Sequence, residues 1–186
     1  MKKLFIIGIL AALLVVAMPA MANSLAQYHL YAGQNIHVGD VGVYQDSENL
    51  FVGFDMDEGW YVNETHLAVE QYATDIPVTK KGNPIPGKFQ YSMIYEIPEN
   101  SDTDAYVIPL PTLPVNISFQ ADVVHAESPG VGALAGDALF PPPTIVYDQE
   151  EGAWAACGGV GTHAFGGKNW ATYFHYPKLS LGDSFI

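Results

Sequence analysis

Ile36-His37-Val38-Gly39-Asp40-Val41-Gly42-Val43-Tyr44-Gln45, then Asp46-Ser47-Glu48-Asn49, then Leu50-Phe51-Val52-Gly53-Phe54-Asp55, is the stretch that decides the fold. Two runs rich in β-branched and aromatic residues flank a cluster of turn formers, which is the signature of two strands joined by a tight turn. The same punctuation continues outward. Asp57-Glu58-Gly59 reads as the next turn, and further strands are predicted near Gln27–Ala32, Trp60–Val62, Thr65–Gln71, Phe89–Ile97, Tyr106–Leu110, Ile117–Ala126, Thr144–Tyr147 and Trp170–Tyr176. The 18 glycines and 13 prolines argue against long helices. Many short strands at this spacing predict an all-β fold: a single antiparallel β-sandwich, Ig-like or jelly-roll-like. Two long irregular loops interrupt it, Tyr72 to Lys88 and Glu127 to Pro143, and loops of that length in a compact domain tend to be functional.

The chain begins with an address. Lys2 and Lys3 precede an uncharged apolar run from Leu4 to Met18, and Ala20 and Ala22 occupy the small-residue positions of a signal-peptidase site. The run is shorter than the roughly 20 residues of a spanning helix, so residues 1–22 read as a cleavable secretory signal peptide. Residues 23–177 then form the β-domain and residues 178–186 a tail, and the expected location is extracellular or at the cell surface. The mature part keeps five lysines, no arginine and all 20 acids, a formal charge of −15. That balance excludes a nucleic-acid role, which needs a basic patch, and disfavours anionic membrane surfaces. Cys157 is the only cysteine, so no intrachain disulfide can form and stability must come from packing, ions or neighbours.

Leu30-Tyr31-Ala32-Gly33-Gln34, Gly59-Trp60, Glu64-Thr65-His66-Leu67, Lys80-Lys81-Gly82-Asn83-Pro84-Ile85-Pro86-Gly87, His125-Ala126-Glu127 and Asn169-Trp170-Ala171-Thr172-Tyr173-Phe174 span most of the mature chain. Together they resemble a β-domain that recurs in secreted and cell-surface proteins of prokaryotes. The resemblance implies an extracellular all-β module and carries no catalytic residue with it.

Four sets of residues are candidates for function. Strand alternation places Glu64, His66 and Glu70 on one face and sets His125 with Val123 and Glu127. If those two strands are neighbours, His66 and His125 could share a transition metal, the alternative being two histidines satisfied by hydrogen bonds on a sheet. Asp55, Asp57 and Glu58 crowd one turn, and Asp148, Glu150 and Glu151 another segment; calcium is the ion such carboxylates suit, and a solvated acidic turn is the alternative. Trp60, just after a turn, is the candidate platform for stacking on a sugar, while Trp170 and Phe174 read as core. Lys80, Lys81 and Lys88 put three of the five mature lysines on one proline-rich loop, suited to contact with an acidic patch on another copy, the alternative being a solvated loop that keeps the protein soluble.

Gly-x-Ser-x-Gly is absent, and nothing around Cys157 reads as a catalytic cysteine. The expected function is therefore a secreted structural or adhesive module. It is read as a self-assembling extracellular subunit in which Asn23 to Tyr31, or the tail Lys178 to Ile186, adds a strand to a neighbouring copy. A carbohydrate-binding module is the alternative, and a metal-dependent enzyme around His66 and His125 the third reading. The expected partners are other copies, matrix components or polysaccharide. Asn63-Glu64-Thr65 and Asn116-Ile117-Ser118 are glycosylation sequons.

Overall fold

A computed structural model describes residues 26–96, 102–126, 147–156 and 162–177. Residues 1–22, the loop Glu127 to Pro143, Cys157 and the tail Lys178 to Ile186 lie outside the described residues. Ten strands are seen: β1 (Ala26–Ala32), β2 (Ile36–Gln45), β3 (Asn49–Met56), β4 (Trp60–Glu70), β5 (Tyr91–Ile94), β6 (Thr103–Pro109), β7 (Val115–Ala126), β8 (Tyr147–Ala156), β9 (Thr162–Ala164) and β10 (Thr172–Tyr176). Every pairing between them is antiparallel. The fold is thus all-β, as the sequence predicts. Among the described residues no helix is long and apolar enough to cross a membrane.

The strands form one sheet in the order β5-β4-β7-β8-β1-β2-β3-β6, with β10 added to β7 and β9 to β10. Its two halves are therefore hydrogen-bonded to each other through β7, β8 and β1. The sheet curls so that its two ends come together. Tyr106 of β6 donates to the Thr65 carbonyl of β4 at 3.2 Å, its hydroxyl lies 2.7 Å from Thr65 Oγ1, and its ring stands 6.2 Å from that of Tyr91 on β5. The concave side holds the main core, with Leu30, Val41, Val52, Leu67, Phe119 and Phe174 fully or almost fully buried. Each side chain of that size contributes about 1.5–3 kcal/mol on burial.

Two β-bulges decide which way several side chains point. In the β1–β2 pair the register jumps between Leu30 and Tyr31, because Val38 opposes no residue of β1. In the β4–β7 pair it jumps between Val62 and Glu64, leaving Asn63 unpaired. One extra residue reverses the inward–outward alternation beyond it. The second bulge also explains a difference from the sequence reading, which takes Trp60–Val62 and Thr65–Gln71 as two strands. They are one strand, carried past Asn63 by the bulge.

A second apolar cluster, Ala68, Ile76, Phe89, Trp154, Phe165 and Ala171, lies outside the main core. It fastens the loop that follows β4 and the segment before β10 onto the sheet. The loop, residues 72–88, is ordered. Val78 and Pro84 form an isolated bridge, Thr79 N–H donates to the Asn83 carbonyl at 2.7 Å, and Ile85 N–H donates to that of Pro77 at 2.9 Å. Gly82 turns the chain with φ +79°, a conformation glycine adopts without steric penalty.

Candidate functional site

Among the described residues, the bulge in β2 builds a dense cluster of metal-ligating and titratable side chains. Asp40 sits opposite His29 in the β1–β2 ladder, both on the outer face. Strict alternation would send His37 to the other face from Asp40, three residues away. The extra residue at Val38 turns it back, and Val38 itself is fully buried. His29 Nδ1 then lies 2.7 Å from Asp40 Oδ1 and 3.1 Å from His37 Nε2, and His37 Nε2 is 3.5 Å from Asp40 Oδ1. The other nitrogen of His37, Nδ1, is 2.7 Å from Asp57 Oδ2. Gln27 Nε2 donates to Asp40 Oδ2 at 3.0 Å, and the Tyr31 ring stands edge-on to both imidazoles. Partial burial works against protonation of His37, yet the hydrogen bond and charge of Asp57, with the charge of Asp40, outweigh it and raise its pKa.

The convex face beside this cluster carries a trough of about 580 Å³. The register makes it. Gly42 pairs with Gly53 and Gly53 with Ala105, so three small residues cross β2, β3 and β6 in one row. Tyr44 and Phe51 stack on one side of that row at 4.4 Å, and Asp40, Asp55 and Thr103 flank the other.

The sequence-predicted residues are placed as follows. His66 and His125 are both on the β4–β7 pair, but they do not meet. His66 opposes Gln120 and His125 opposes Trp60, six positions apart or about 20 Å along the ladder, and the bulge at Asn63 turns them to opposite faces. His66 instead joins Glu64, as alternation predicts, together with Asp122. His125 Nδ1 lies 2.8 Å from Asp148 Oδ1. Asp55, Asp57 and Glu58 do not converge: Asp57 turns to His37, Asp55 lies in the row of Asp40, and Glu58 is exposed. Trp60 is only 8 % exposed and packs 5.0 Å from the His125 ring, because the bulge reverses its facing. It offers no stacking platform to a sugar. The Asn116 sequon is also internal, since Asn116 is buried and its Nδ2 donates to the Gln71 carbonyl at 3.1 Å.

Lys80, Lys81 and Lys88 are exposed, and Lys168 is brought to them. Asn83 Oδ1 accepts from Lys168 N–H at 2.9 Å and from Asn169 N–H at 3.4 Å. Every lysine among the described residues therefore stands at the end of the sheet where β4 finishes. The end where β4 starts carries Asp57 and Glu58 just before it, Asp102 before β6, and Asp148, Glu150 and Glu151 in the first half of β8. β4 has 11 residues, so the two ends are about 33 Å apart. Glu70 and Asp75 share the lysine end, where burial and then the charge of Asp75 raise the Glu70 pKa. Asp46 and Glu48 close the β2–β3 turn at that same end, on the other half of the sheet.

No protein-family model matches the chain, nor does any curated protein or solved structure.

Proposed function

We propose that the protein is an exported structural subunit that joins further copies of itself head to tail, its lysine-bearing end against the acidic end of the next molecule. The observation that carries this reading is the segregation of the lysines along β4, with every described lysine at one end and none at the other, where Asp57, Glu58, Glu150 and Glu151 stand. Complementary ends on one molecule make a heterologous contact, which extends into a chain or filament unless its rotation closes a ring. The lysine loop is suited to docking because Ile76 and Phe89 hold it against the sheet, so little entropy is lost when it meets a partner. The same loop exposes Tyr72 and Val78 beside Lys80, which supplies apolar area to the contact. The signal-peptide reading and the resemblance to cell-surface β-domains support an extracellular site of action.

Strand addition is a weaker route to assembly. β1, which the sequence reading offers as a donor, is held between β8 and β2 of its own sheet. The open edge of β6 is blunted, since Ala105 N–H bonds its neighbour Asp104 at 2.7 Å and Pro109 has no N–H to give. Charge reversal tests the proposal. The double variant Lys80→Glu/Lys81→Glu is expected to abolish self-association, and Glu150→Lys/Glu151→Lys likewise; an equimolar mixture of the two should re-associate as mixed pairs. Association by both variants at wild-type strength would refute the head-to-tail contact.

The trough gives a second reading, a polysaccharide-binding module, a specific observation in its favour. Tyr44, backed by its stack on Phe51, supplies aromatic surface, and Gln27, Asp40, Asp55 and Thr103 supply polar groups for sugar hydroxyls. A glycan array on which the wild type is retained and Tyr44→Ala is not would support it. No retention of the wild type would set it aside.

A further inference from the structure

The cluster at the β1–β2 hairpin brings the donor atoms of three metal-ligating side chains together. Two imidazole nitrogens and one carboxylate oxygen, from residues 8 and 11 positions apart in the chain, point at one centre with separations of 2.7, 3.1 and 3.5 Å. Tetrahedral ligands placed about 2.0–2.1 Å from a zinc ion lie about 3.3–3.4 Å from one another. The pair of His29 Nδ1 and Asp40 Oδ1 would need to open by about 0.6–0.7 Å and the two imidazole nitrogens by about 0.2–0.3 Å. Asp57 adds an independent element. Its carboxylate, 2.7 Å from His37 Nδ1, favours the tautomer of the neutral ring that carries its proton on that nitrogen and turns the Nε2 lone pair to the centre. A carboxylate behind a ligating imidazole fixes its tautomer and ring orientation in metal sites generally.

We infer that His29 Nδ1, His37 Nε2 and Asp40 Oδ1 form a binding site for a divalent transition metal, with Asp57 as the positioning residue for His37. The ligand set suits zinc or copper(II) over calcium or magnesium, because two of its three donors are imidazole nitrogens. His29 and His37 are both solvent-accessible, so the remaining coordination position faces water. The surrounding carboxylates, Asp55 and Glu58 among them, draw cations to this end of the molecule. The other convergent group, Glu64, His66 and Asp122, has one imidazole, and its Asp122 Oδ1 already accepts from Gln120 Nε2 at 2.7 Å. It is the weaker claimant.

The test is titration of chelator-treated, untagged full-length protein with zinc(II) by calorimetry, and with cobalt(II) followed by visible absorption. One ion per chain is expected, with the intense cobalt bands of a low-coordinate N/O site. His29→Gln and His37→Gln should each weaken binding about 100-fold or more. Asp57→Asn, which leaves all three ligands in place, should weaken it about 10–100-fold. His66→Gln, His163→Gln and His175→Gln should leave it unchanged. Circular dichroism checks the fold of each variant. Should a ligand variant unfold, cobalt-induced broadening of the His29 and His37 NMR signals in the wild type decides instead, and its absence counts against the site. No uptake at about 100 μM metal, or loss with His66→Gln but not with His37→Gln, would overturn the inference.

Discussion

Gly167→Ala perturbs the joint that gathers the lysines. A methyl group at Gly167 would stand 1.8 Å from Asn83 Oδ1, 2.7 Å from Asn83 Cγ and 2.7 Å from the Asn83 backbone nitrogen. The first two contacts could be relieved by rotating the Asn83 side chain. That rotation gives up its hydrogen bonds from Lys168 N–H and Asn169 N–H, worth about 1 kcal/mol each at most in so exposed a place. The third contact is with backbone, and no rotamer removes it. The loop must shift, at about 1–3 kcal/mol for overpacking of this kind. A total of roughly 2–4 kcal/mol lowers the melting temperature by about 5–12 °C in a chain of this size. Differential scanning fluorimetry measures it, and a cycle with Asn83→Ala separates the contributions. In the Asn83→Ala background the side-chain clash is gone, and Gly167→Ala should cost only the backbone part. A Gly167→Ala protein that melts within 1 °C of wild type would refute the reasoning, since the segment before β10 would then not be packed against the loop as described.

Burial pushes the Tyr106 and Tyr176 hydroxyls up to about 12 from an ordinary 10. The native state therefore holds protons that the unfolded chain has released, so stability is full below pH 10 and falls as pH rises from 10 towards 12. Urea unfolding across that window should show a loss on the order of 2–3 kcal/mol per group by pH 12, and Tyr106→Phe should flatten the slope; an unchanged midpoint from pH 9 to 12 would count against it. At neutral pH the same Tyr106→Phe change removes two hydrogen bonds to Thr65 and is expected to lower stability by about 1–2 kcal/mol. Gly39→Ala would bring a methyl group 2.4 Å from the Asp55 carbonyl and 2.9 Å from Met56 Cα, both backbone atoms of β3. Denaturant titration should register at least about 3 kcal/mol, and metal binding at the hairpin should be lost with it.

The β2–β3 hairpin is legible because its composition and its turn residues agree, and Asp46 Oδ1 indeed accepts from the N–H groups of Glu48 and Asn49. These bonds hold the Asp46 pKa low. β8 is harder to read. Its middle, Asp148-Gln149-Glu150-Glu151-Gly152, has the composition of a loop, yet it pairs with the apolar end of β7, and partner strands override local propensity. β9 is three residues long and has no signal of its own. For the sites the obstacle is the bulges. Period-two alternation places Glu64 and His66 together, as found, but a bulge cannot be read from alternation. Val38 and Asn63 each reverse the phase of what lies beyond them, so His37 joins His29 and Asp40 while Trp60 turns inward. A glycine inside a strand pattern, here Gly39 beside Val38, is the one hint that the sequence offered. Asn83, through which Lys168 reaches the other lysines, carries no signal because the two segments are far apart in the chain.

Sedimentation velocity across protein concentration and salt tests the head-to-tail proposal most directly. At low ionic strength the protein should grow with concentration into an open series of oligomers. Raising salt to about 0.5 M, where the screening length falls to roughly 4 Å, should return it to monomer. A protein that stays monomeric at about 100 μM in low salt, or an oligomer of fixed size that salt leaves intact, would contradict it.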